Sequence, residues 1–300
     1  MTDGIDLTNR TEPIEQAIQG GRSLWDDAKA RLFRNKAAVT SMWILGILVL
    51  IAIIGPFVWV HDYDTISTRD EWPPTLENWH LLGTDEQGRD ILARLMIGLR
   101  ISLAVGLVAT IVSLIIGVTW GAVAGFVGGR VDNIMMRFVD VLYAMPFIFF
   151  VILLLTVFGR NIILIFAAIG AVEWLTMSRI VRGQTLAIKN KEFIEAARAT
   201  GVPFFTMIRR HVLPNVVGPV AVYVTLTIPV VIMAESFLSF LGLGVNEPLT
   251  SLGVLISQGA REMQDKPWML LAPALTMMIT LLCLNFIGDG LRDALDPKER

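Results

Sequence analysis

The 300-residue sequence contains few cysteines and few charged residues. Its single cysteine, Cys283, excludes a disulfide framework within the chain and any metal cluster built on cysteines. Charged residues make up 17% of the chain, and the formal net charge of −2 gives no sign of a nucleic-acid-binding protein. The three histidines, His61, His80 and His211, are far apart in the sequence and fit no metal-ligand spacing. We therefore expect no metal and no cofactor in this chain.

The missing charge is absent from whole stretches of the chain. A bilayer core about 30 Å thick needs about 20 apolar helical residues to cross it. Five stretches free of Lys, Arg, Asp and Glu meet this requirement, and a sixth is interrupted only by Glu173. The predicted spans are 37–60, 101–129, 141–159, 161–178, 212–234 and 267–288, with a tight polar turn at 159–161 between the third and the fourth. The sequence thus predicts an all-α, polytopic membrane protein with six transmembrane helices.

Basic residues concentrate on one side of these spans. With the N-terminus inside, 18 of the 25 Lys and Arg residues fall on the inner side, and an excess of Lys and Arg marks cytoplasmic segments. Both termini are therefore predicted to be cytoplasmic. The predicted division is a cytoplasmic tail at 1–36, a first span at 37–60, a periplasmic segment at 61–100, a five-helix core at 101–290 with a cytoplasmic loop at 188–214, and a cytoplasmic tail at 291–300.

Within the N-terminal tail, residues 22–36 have the pattern of a short amphipathic helix. Ser23 is its predicted N-cap, and Asp26 and Asp27 lie in the first turn, where acidic side chains favour a helix. Such a helix lies along the inner membrane surface and leads into the first span. A solvated linker is the alternative interpretation.

Small residues and prolines distinguish two of the spans. Gly117, Gly121 and Gly125 recur at four-residue spacing, which lets helix backbones approach closely in lipid, so the second span is predicted to pack against neighbouring helices. The fifth span contains Pro214, Pro219 and Pro229. Breaks of this kind suit a helix that bends or lines a pathway better than a rigid anchor.

The carboxylates near the spans have two possible roles. Asp140 and Glu235 lie at span ends and are expected to be interfacial. Glu173 lies well inside the fourth span, where charge usually faces a cavity or a partner. The favoured interpretation is that Glu173 reaches the inner interface or pairs there with Arg179; a substrate or proton role is the alternative.

The loop at 188–214 contains the most specific pattern. Helical spacing through residues 192–200 is followed by Gly201, which is predicted to stop the helix, and a second basic helix is predicted to end at His211. Glu195-Ala196-Ala197, then Gly201 after three residues, His211 after nine more, and Leu213-Pro214 resemble the EAA motif of the permease subunits of ABC importers. The usual residue at the position of His211 is isoleucine, but histidine is common in the peptide-permease branch.

Other stretches resemble the same branch, which imports dipeptides, oligopeptides and nickel. They are residues 80–92, 100–106 and 288–297, whereas 21–31, 179–186 and 235–244 resemble the oligopeptide permeases in particular. The resemblance implies an ABC type I importer permease (MetI-like) fold in the bacterial cytoplasmic membrane. It further implies that Glu195, Ala196, Ala197, Gly201, His211, Leu213 and Pro214 couple the chain to an ATPase.

The implied function is one half of a heterodimeric pathway for oligopeptide uptake, with no chemistry of its own. The implied partners are a sister permease, two ATPase subunits that bind ATP and Mg, and a periplasmic peptide-binding protein. The chain has no G-x-x-x-x-G-K-[ST], G-x-S-x-G or H-E-x-x-H pattern, so nothing indicates nucleotide binding or hydrolase activity. Dipeptides, nickel or glutathione are alternative cargoes, and an ion-coupled secondary transporter is a more distant alternative.

Overall fold

The computed structural model describes residues 24–67, 72–76, 78–158 and 162–295. This part of the chain is mostly helical and contains no β-strand beyond an isolated bridge between Thr84 and Asp90. The helices are α1 (Leu24–Arg34), α2 (Lys36–Val58), α3 (Ile91–Val127), α4 (Gly129–Tyr143), α5 (Phe147–Phe158), α6 (Ile162–Lys189), α7 (Glu192–Ala199), α8 (Phe204–Met207), α9 (Leu213–Phe240), α10 (Leu252–Arg261) and α11 (Trp268–Leu295). The predicted all-α fold is confirmed.

Five helical runs are long and apolar enough to cross a membrane by themselves. They are α2, α3, α6, the run Phe204–Phe240 that contains α8 and α9, and α11. Helices α4 and α5 pass the same test only as a pair, and they are bent by 87°. Most of the predicted third span, 141–159, is α5, and its first residues, 141–143, are the end of α4 on the other side of the bend. Pro146 lies in the break, where its ring disfavours a helical conformation of the residue before it. The turn predicted at 159–161 lies outside the described residues.

Two membrane helices extend well beyond their apolar stretches. Helix α3 begins at Ile91, ten residues before the predicted start of the second span, and α6 continues to Lys189, eleven residues past the predicted end of the fourth. The start of α3 is fixed by Asp90, whose carboxylate accepts a hydrogen bond from the Ala93 N–H over 2.7 Å. Most of the charged residues next to these two apolar stretches therefore belong to the helices themselves and not to loops.

Helices α3 and α6 form the most extensive helix contact of the described chain. The glycines of the predicted small-residue stripe lie in it: a Cβ on Gly117 would come within 2.6 Å of Met177, and one on Gly121 within 2.4 Å of the Ser178 carbonyl oxygen. Gly125 meets α6 one turn further on. The prediction that this helix packs closely through its glycines is confirmed, because any side chain there would separate the two backbones.

Helices α1 and α2 lie at the periphery of this core. The predicted amphipathic helix is confirmed as a helix, α1, which packs on α11 and buries Ala28. The Asn35 side chain caps α2 by accepting from the Ala38 N–H over 3.2 Å. Ala38 in turn lies against Gly290 of α11, where a Cβ would approach it to 2.6 Å. The predicted N-cap, Ser23, lies outside the described residues.

Candidate functional site

The EAA loop (residues 188–214) folds as two short helices joined by a tight turn. Helix α7 ends at Ala199, and Gly201 follows with a φ of +77°, a left-handed conformation that glycine adopts without steric cost. The Gly201 N–H donates to the Arg198 carbonyl over 2.9 Å, and the Val202 N–H donates to the Ala197 carbonyl over 3.1 Å. This is the hydrogen-bond pattern of a glycine-terminated helix. The prediction that Gly201 stops the helix is confirmed.

One side of the EAA loop is buried against the membrane helices. Ile194, Ala197 and Met207 belong to a cluster with apolar side chains of α3, α6 and α9. The Arg198 guanidinium lies 5.0 Å from the centre of the Phe126 ring of α3, in a cation–π contact. This side of the loop is therefore fixed to the membrane helices.

The opposite side of the EAA loop is exposed. Glu195 and Ala196 are exposed on α7, and Phe205 on α8 exposes 81% of its surface. Ala197, by contrast, is buried in the same cluster as Ile194. Its small side chain lets α7 lie close to the membrane helices. The two alanines of the motif thus have different environments: Ala196 is available to a partner, and Ala197 supports the loop from beneath.

The second half of the EAA loop does not end as a separate helix. From α8 the chain continues through a π turn, Ile208–Val212, directly into α9, so the predicted helix end at His211 is wrong. The π turn lies just before Pro214, whose missing N–H interrupts the regular hydrogen bonding of an α-helix. The Asn215 side chain donates to the His211 carbonyl over 2.7 Å. His211 and Leu213 are half-buried, and Pro214 is exposed.

Two ion pairs join α4 to α6. Arg182 binds Asp132 through two hydrogen bonds of 2.5 and 2.7 Å, and Arg179 binds Asp140 over 2.8 Å. Arg179 also lies 4.3 Å from the centre of the Tyr143 ring. Of the two outcomes expected for Glu173, reaching the inner interface or pairing there with Arg179, the pair is not formed among the described residues, where Arg179 binds Asp140. Asp140 itself is exposed, in keeping with the interfacial role expected for it.

Glu235 is not interfacial, contrary to expectation. Its side chain is fully buried between α3, α9 and α10, and its carboxylate accepts hydrogen bonds from the Ser239 hydroxyl (2.6 Å) and the Ser102 hydroxyl (3.3 Å). The Ser102 oxygen also accepts from the Leu252 N–H over 3.1 Å, and Ser251 caps α10. These contacts tie the start of α10 to two membrane helices.

A second network of charges lies at the same end of the bundle as α10. Asp85 accepts hydrogen bonds from Arg89 and Arg94, and Arg89 also reaches Glu247 over 3.1 Å. Burial by itself would raise the pKa of Asp85. The charge of Arg94, together with the hydrogen bonds and charge of Arg89, outweighs burial and holds the pKa of Asp85 below its ordinary value. Asp85 is thus an ionised anchor between the 72–90 segment, α3 and the loop before α10.

His61 and His80 come together in the structure, although they are distant in the sequence. Their rings stack 4.1 Å apart, and one nitrogen of each, with a carboxylate oxygen of Asp90, lies in a group within 4.8 Å. A metal ion binds in the plane of an imidazole ring, and rings stacked face to face direct their lone pairs along parallel lines. Asp90 moreover accepts from Trp59, His80 and Ala93. The arrangement favours a hydrogen-bonded cluster over a metal site.

Two residues of this region were not identified from the sequence. Phe205 exposes a large aromatic surface on α8, and the signal for it was the pair of adjacent phenylalanines, Phe204 and Phe205, in a cytoplasmic loop. Asp132 holds Arg182, but the two residues are 50 positions apart and no sequence pattern connects them. The exposure of Phe205 could have been predicted from the sequence, whereas the pairing of Asp132 with Arg182 is visible only in the folded structure.

The bundle of membrane helices and the EAA loop define an integral membrane permease. Residues 117–300 match the family described as binding-protein-dependent transport system inner membrane component, and residues 23–74 match the N-terminal TM domain of oligopeptide transport permease C. The chain belongs to this family of ABC importer permeases. It is a non-catalytic transmembrane subunit that works with a sister permease, ATPases that hydrolyse ATP, and a binding protein.

Known relatives agree with this family. The chain is 54% identical to the oligopeptide transport system permease protein OppC of Haemophilus influenzae over 96% of its length and 93% of that protein. It is 45% identical to the dipeptide transport system permease protein DppC of Bacillus subtilis, over 93% of this chain and 87% of that one. A solved structure of the MetNI methionine ABC transporter, in an inward-facing conformation, matches with a TM-score of 0.57 and 17% identity, covering 69% of this chain and 96% of that one. This likeness confirms the MetI-like fold.

Proposed function

We propose that this chain forms one half of the transmembrane pathway of an ATP-driven importer for oligopeptides. The 54% identity to an oligopeptide permease over nearly the whole chain supports this cargo more strongly than the 45% identity to a dipeptide permease. The transporter lies in the bacterial cytoplasmic membrane. Both chain ends and the EAA loop face the cytoplasm, in keeping with the excess of Lys and Arg on that side.

The proposed assembly contains four kinds of partner. A sister permease of the OppB type supplies the other half of the pathway. Two ATPase subunits of the OppD and OppF types bind ATP and Mg, and a periplasmic protein of the OppA type delivers the peptide. This chain contributes no catalytic group and no cofactor.

The EAA loop is the proposed contact with an ATPase subunit. Its buried side is fixed to the membrane helices through Ile194 and Met207, and its free side presents Glu195, Ala196 and Phe205. A carboxylate beside a small residue and an exposed aromatic ring suits a cleft with a basic group and an apolar floor. Gly201 sets the angle between the two helices, Ala197 and Leu213 support them, and His211 and Pro214 link the loop to α9. This two-sided arrangement is the observation on which the proposal depends.

The proposal is tested with the complete transporter in proteoliposomes that contain ATP. Wild type is expected to accumulate labelled tetra-alanine, and Glu195→Lys is expected to lower uptake by about tenfold, the effect of losing about 1.4 kcal/mol of coupling. Glu192→Lys is the matched control, because Glu192 is also exposed and lies on the same helix. Full uptake by Glu195→Lys, with its ATPase subunits still bound, contradicts the coupling role.

Cargo is tested with the same proteoliposomes. Dipeptides, glutathione and nickel are each offered in competition with labelled tetra-alanine, and the proposal expects the longer peptide to be preferred. An ion-coupled mechanism predicts uptake that survives removal of ATP and stops when the ion gradient is dissipated. Either that result or a preference for another cargo contradicts the proposal.

A further inference from the structure

The break between α4 and α5 opens a cavity of about 360 Å³ among the membrane helices. It lies between the bent pair, α6 and α9, and its lining includes Tyr143, Pro146, Phe150, Glu173, Thr176 and Ala234. Most of the wall is apolar. The cavity therefore offers space for part of a solute together with a small number of fixed polar groups, as ligand sites in membrane proteins do.

Glu173 is the one acidic side chain in this lining, and no basic residue of the described chain pairs with it. The two nearest arginines along α6 are occupied: Arg179 binds Asp140, and Arg182 binds Asp132 through two hydrogen bonds. Thr176, one turn further along α6, and Tyr143 of α4 line the same cavity. The carboxylate is thus surrounded by hydroxyl groups and apolar side chains and has no cation of its own.

A carboxylate at this depth is costly unless it faces water, a partner or a ligand. Glu173 lies five residues inside the predicted end of the fourth span at 178, and its half-buried side chain lines the cavity. The recess that holds it is bounded by α4, α5, α6 and α9. These positions indicate a site for a cation that enters from outside the chain.

We propose that Glu173 binds the α-ammonium group of a peptide as it passes through the transporter. The inference rests on the proposed function as a peptide permease. Every unmodified linear peptide carries this one cation regardless of its sequence, so a single carboxylate in an apolar recess recognises peptides without selecting side chains. The Tyr143 and Thr176 hydroxyls complete the polar part of the site, and the surrounding apolar wall of α5 and α9 accommodates different first residues.

The test compares tetra-alanine with N-acetyl-tetra-alanine in the complete transporter in proteoliposomes, with each peptide loaded on the binding protein at saturating concentration. The measured quantity is the uptake of a variant divided by that of wild type for each peptide, so that any preference of the binding protein cancels. Glu173→Gln is expected to lower uptake of the free peptide by about tenfold, the effect of losing one charge-assisted hydrogen bond. Uptake of the acetylated peptide is expected to change less than about twofold, and Glu173→Asp is expected to restore most uptake of the free peptide.

An equal loss for both peptides overturns the proposal, since it indicates that Glu173 holds the structure or pairs with the sister subunit. No loss for either peptide overturns it as well. Failure of wild type to import tetra-alanine at all contradicts the proposed function rather than the site.

A second measurement does not depend on the binding protein. Glu173→Cys in a Cys283→Ala background is expected to react with a membrane-impermeant thiol reagent, because a site that binds a passing peptide must open to water. Absence of reaction in every nucleotide state overturns the proposal.

Discussion

The guanidinium of Arg100 donates a hydrogen bond to the carbonyl oxygen of Ala52 over 2.9 Å, and a second one to the carbonyl of Ile53 over 2.9 Å. Pro56 explains why the Ala52 carbonyl is available, since it lacks the N–H that would bond to Ala52 within α2. The same guanidinium lies 5.6 Å from the centre of the Phe57 ring. An arginine of the core thus completes the hydrogen bonding of the first membrane helix and joins that helix to α3.

This contact predicts a coupling between Arg100 and Pro56. Replacing Arg100 with Leu leaves a buried carbonyl without a donor and is expected to cost about 1–3 kcal/mol. In a Pro56→Ala background the backbone at position 56 regains its N–H, so the same replacement is expected to cost less. Thermal unfolding of the four proteins in detergent measures the difference. Equal losses in both backgrounds show that Arg100 does not act through the proline.

The glycine contact between α3 and α6 gives a second prediction. A Cβ at position 121 would lie 2.4 Å from the Ser178 carbonyl oxygen, and a backbone atom cannot move aside as a flexible side chain does. Gly121→Ala is therefore expected to destabilise the bundle by about 1–3 kcal/mol, as overpacking does elsewhere. Gly46→Ala on α2 is the control, because a Cβ there meets no atom within 4 Å. A similar melting temperature for both variants contradicts the close contact.

Hydropathy predicted the helical class and the approximate spans because a bilayer imposes the same requirement on every crossing helix. Boundaries were predicted less well. Helix α6 continues through Arg179 and Arg182 to Lys189, since Asp140 and Asp132 of α4 neutralise two of these charges. Hydropathy alone assigns such charged residues to a loop. In the folded chain they can remain in a helix when carboxylates pair with them.

The network around Asp85 predicts a dependence of stability on pH. Its pKa is lower in the folded protein than its ordinary value of 3.8, so ionised Asp85 contributes stability above that value and the contribution is lost as pH falls through the folded pKa. Asp85→Asn is expected to cost about 3–5 kcal/mol at neutral pH, because it leaves Arg94 buried without its anion. The variant is also expected to lose less stability than wild type on acidification.

Thermal unfolding between pH 7 and pH 3 measures both effects. Glu247→Gln is a control in the same network, since its side chain is half exposed and its pair with Arg89 is expected to contribute about 1 kcal/mol or less. If wild type and Asp85→Asn respond identically to acid, Asp85 is not the group that titrates.

The candidate site was predictable to the extent that it is local. Gly201 and its turn follow from a helical pattern that ends in glycine, and the structure places them as expected. The burial of Glu235 and the stacking of His61 on His80 depend on contacts between residues that are far apart in the sequence. A single sequence contains no signal for such contacts, so an interfacial carboxylate and scattered histidines were the natural expectation.

The last prediction concerns Gly201. Glycine is required at this position by the backbone conformation and not by the space around the residue. A Cβ there would meet no atom within 4 Å, but φ is +77°, which costs other residues about 1–2 kcal/mol. Gly201→Ala is expected to weaken binding of the ATPase subunits and ATP-driven uptake, and Gly201→Asn is expected to do so less, since Asn tolerates this conformation better.

Gly183→Ala on α6 is the control, because that glycine is helical and has open space around it, so its replacement is expected to stabilise the protein. Co-purification of the ATPase subunits with each variant measures the order. Equal binding by the Ala and Asn variants at position 201 contradicts a role for this turn in presenting Glu195 and Phe205.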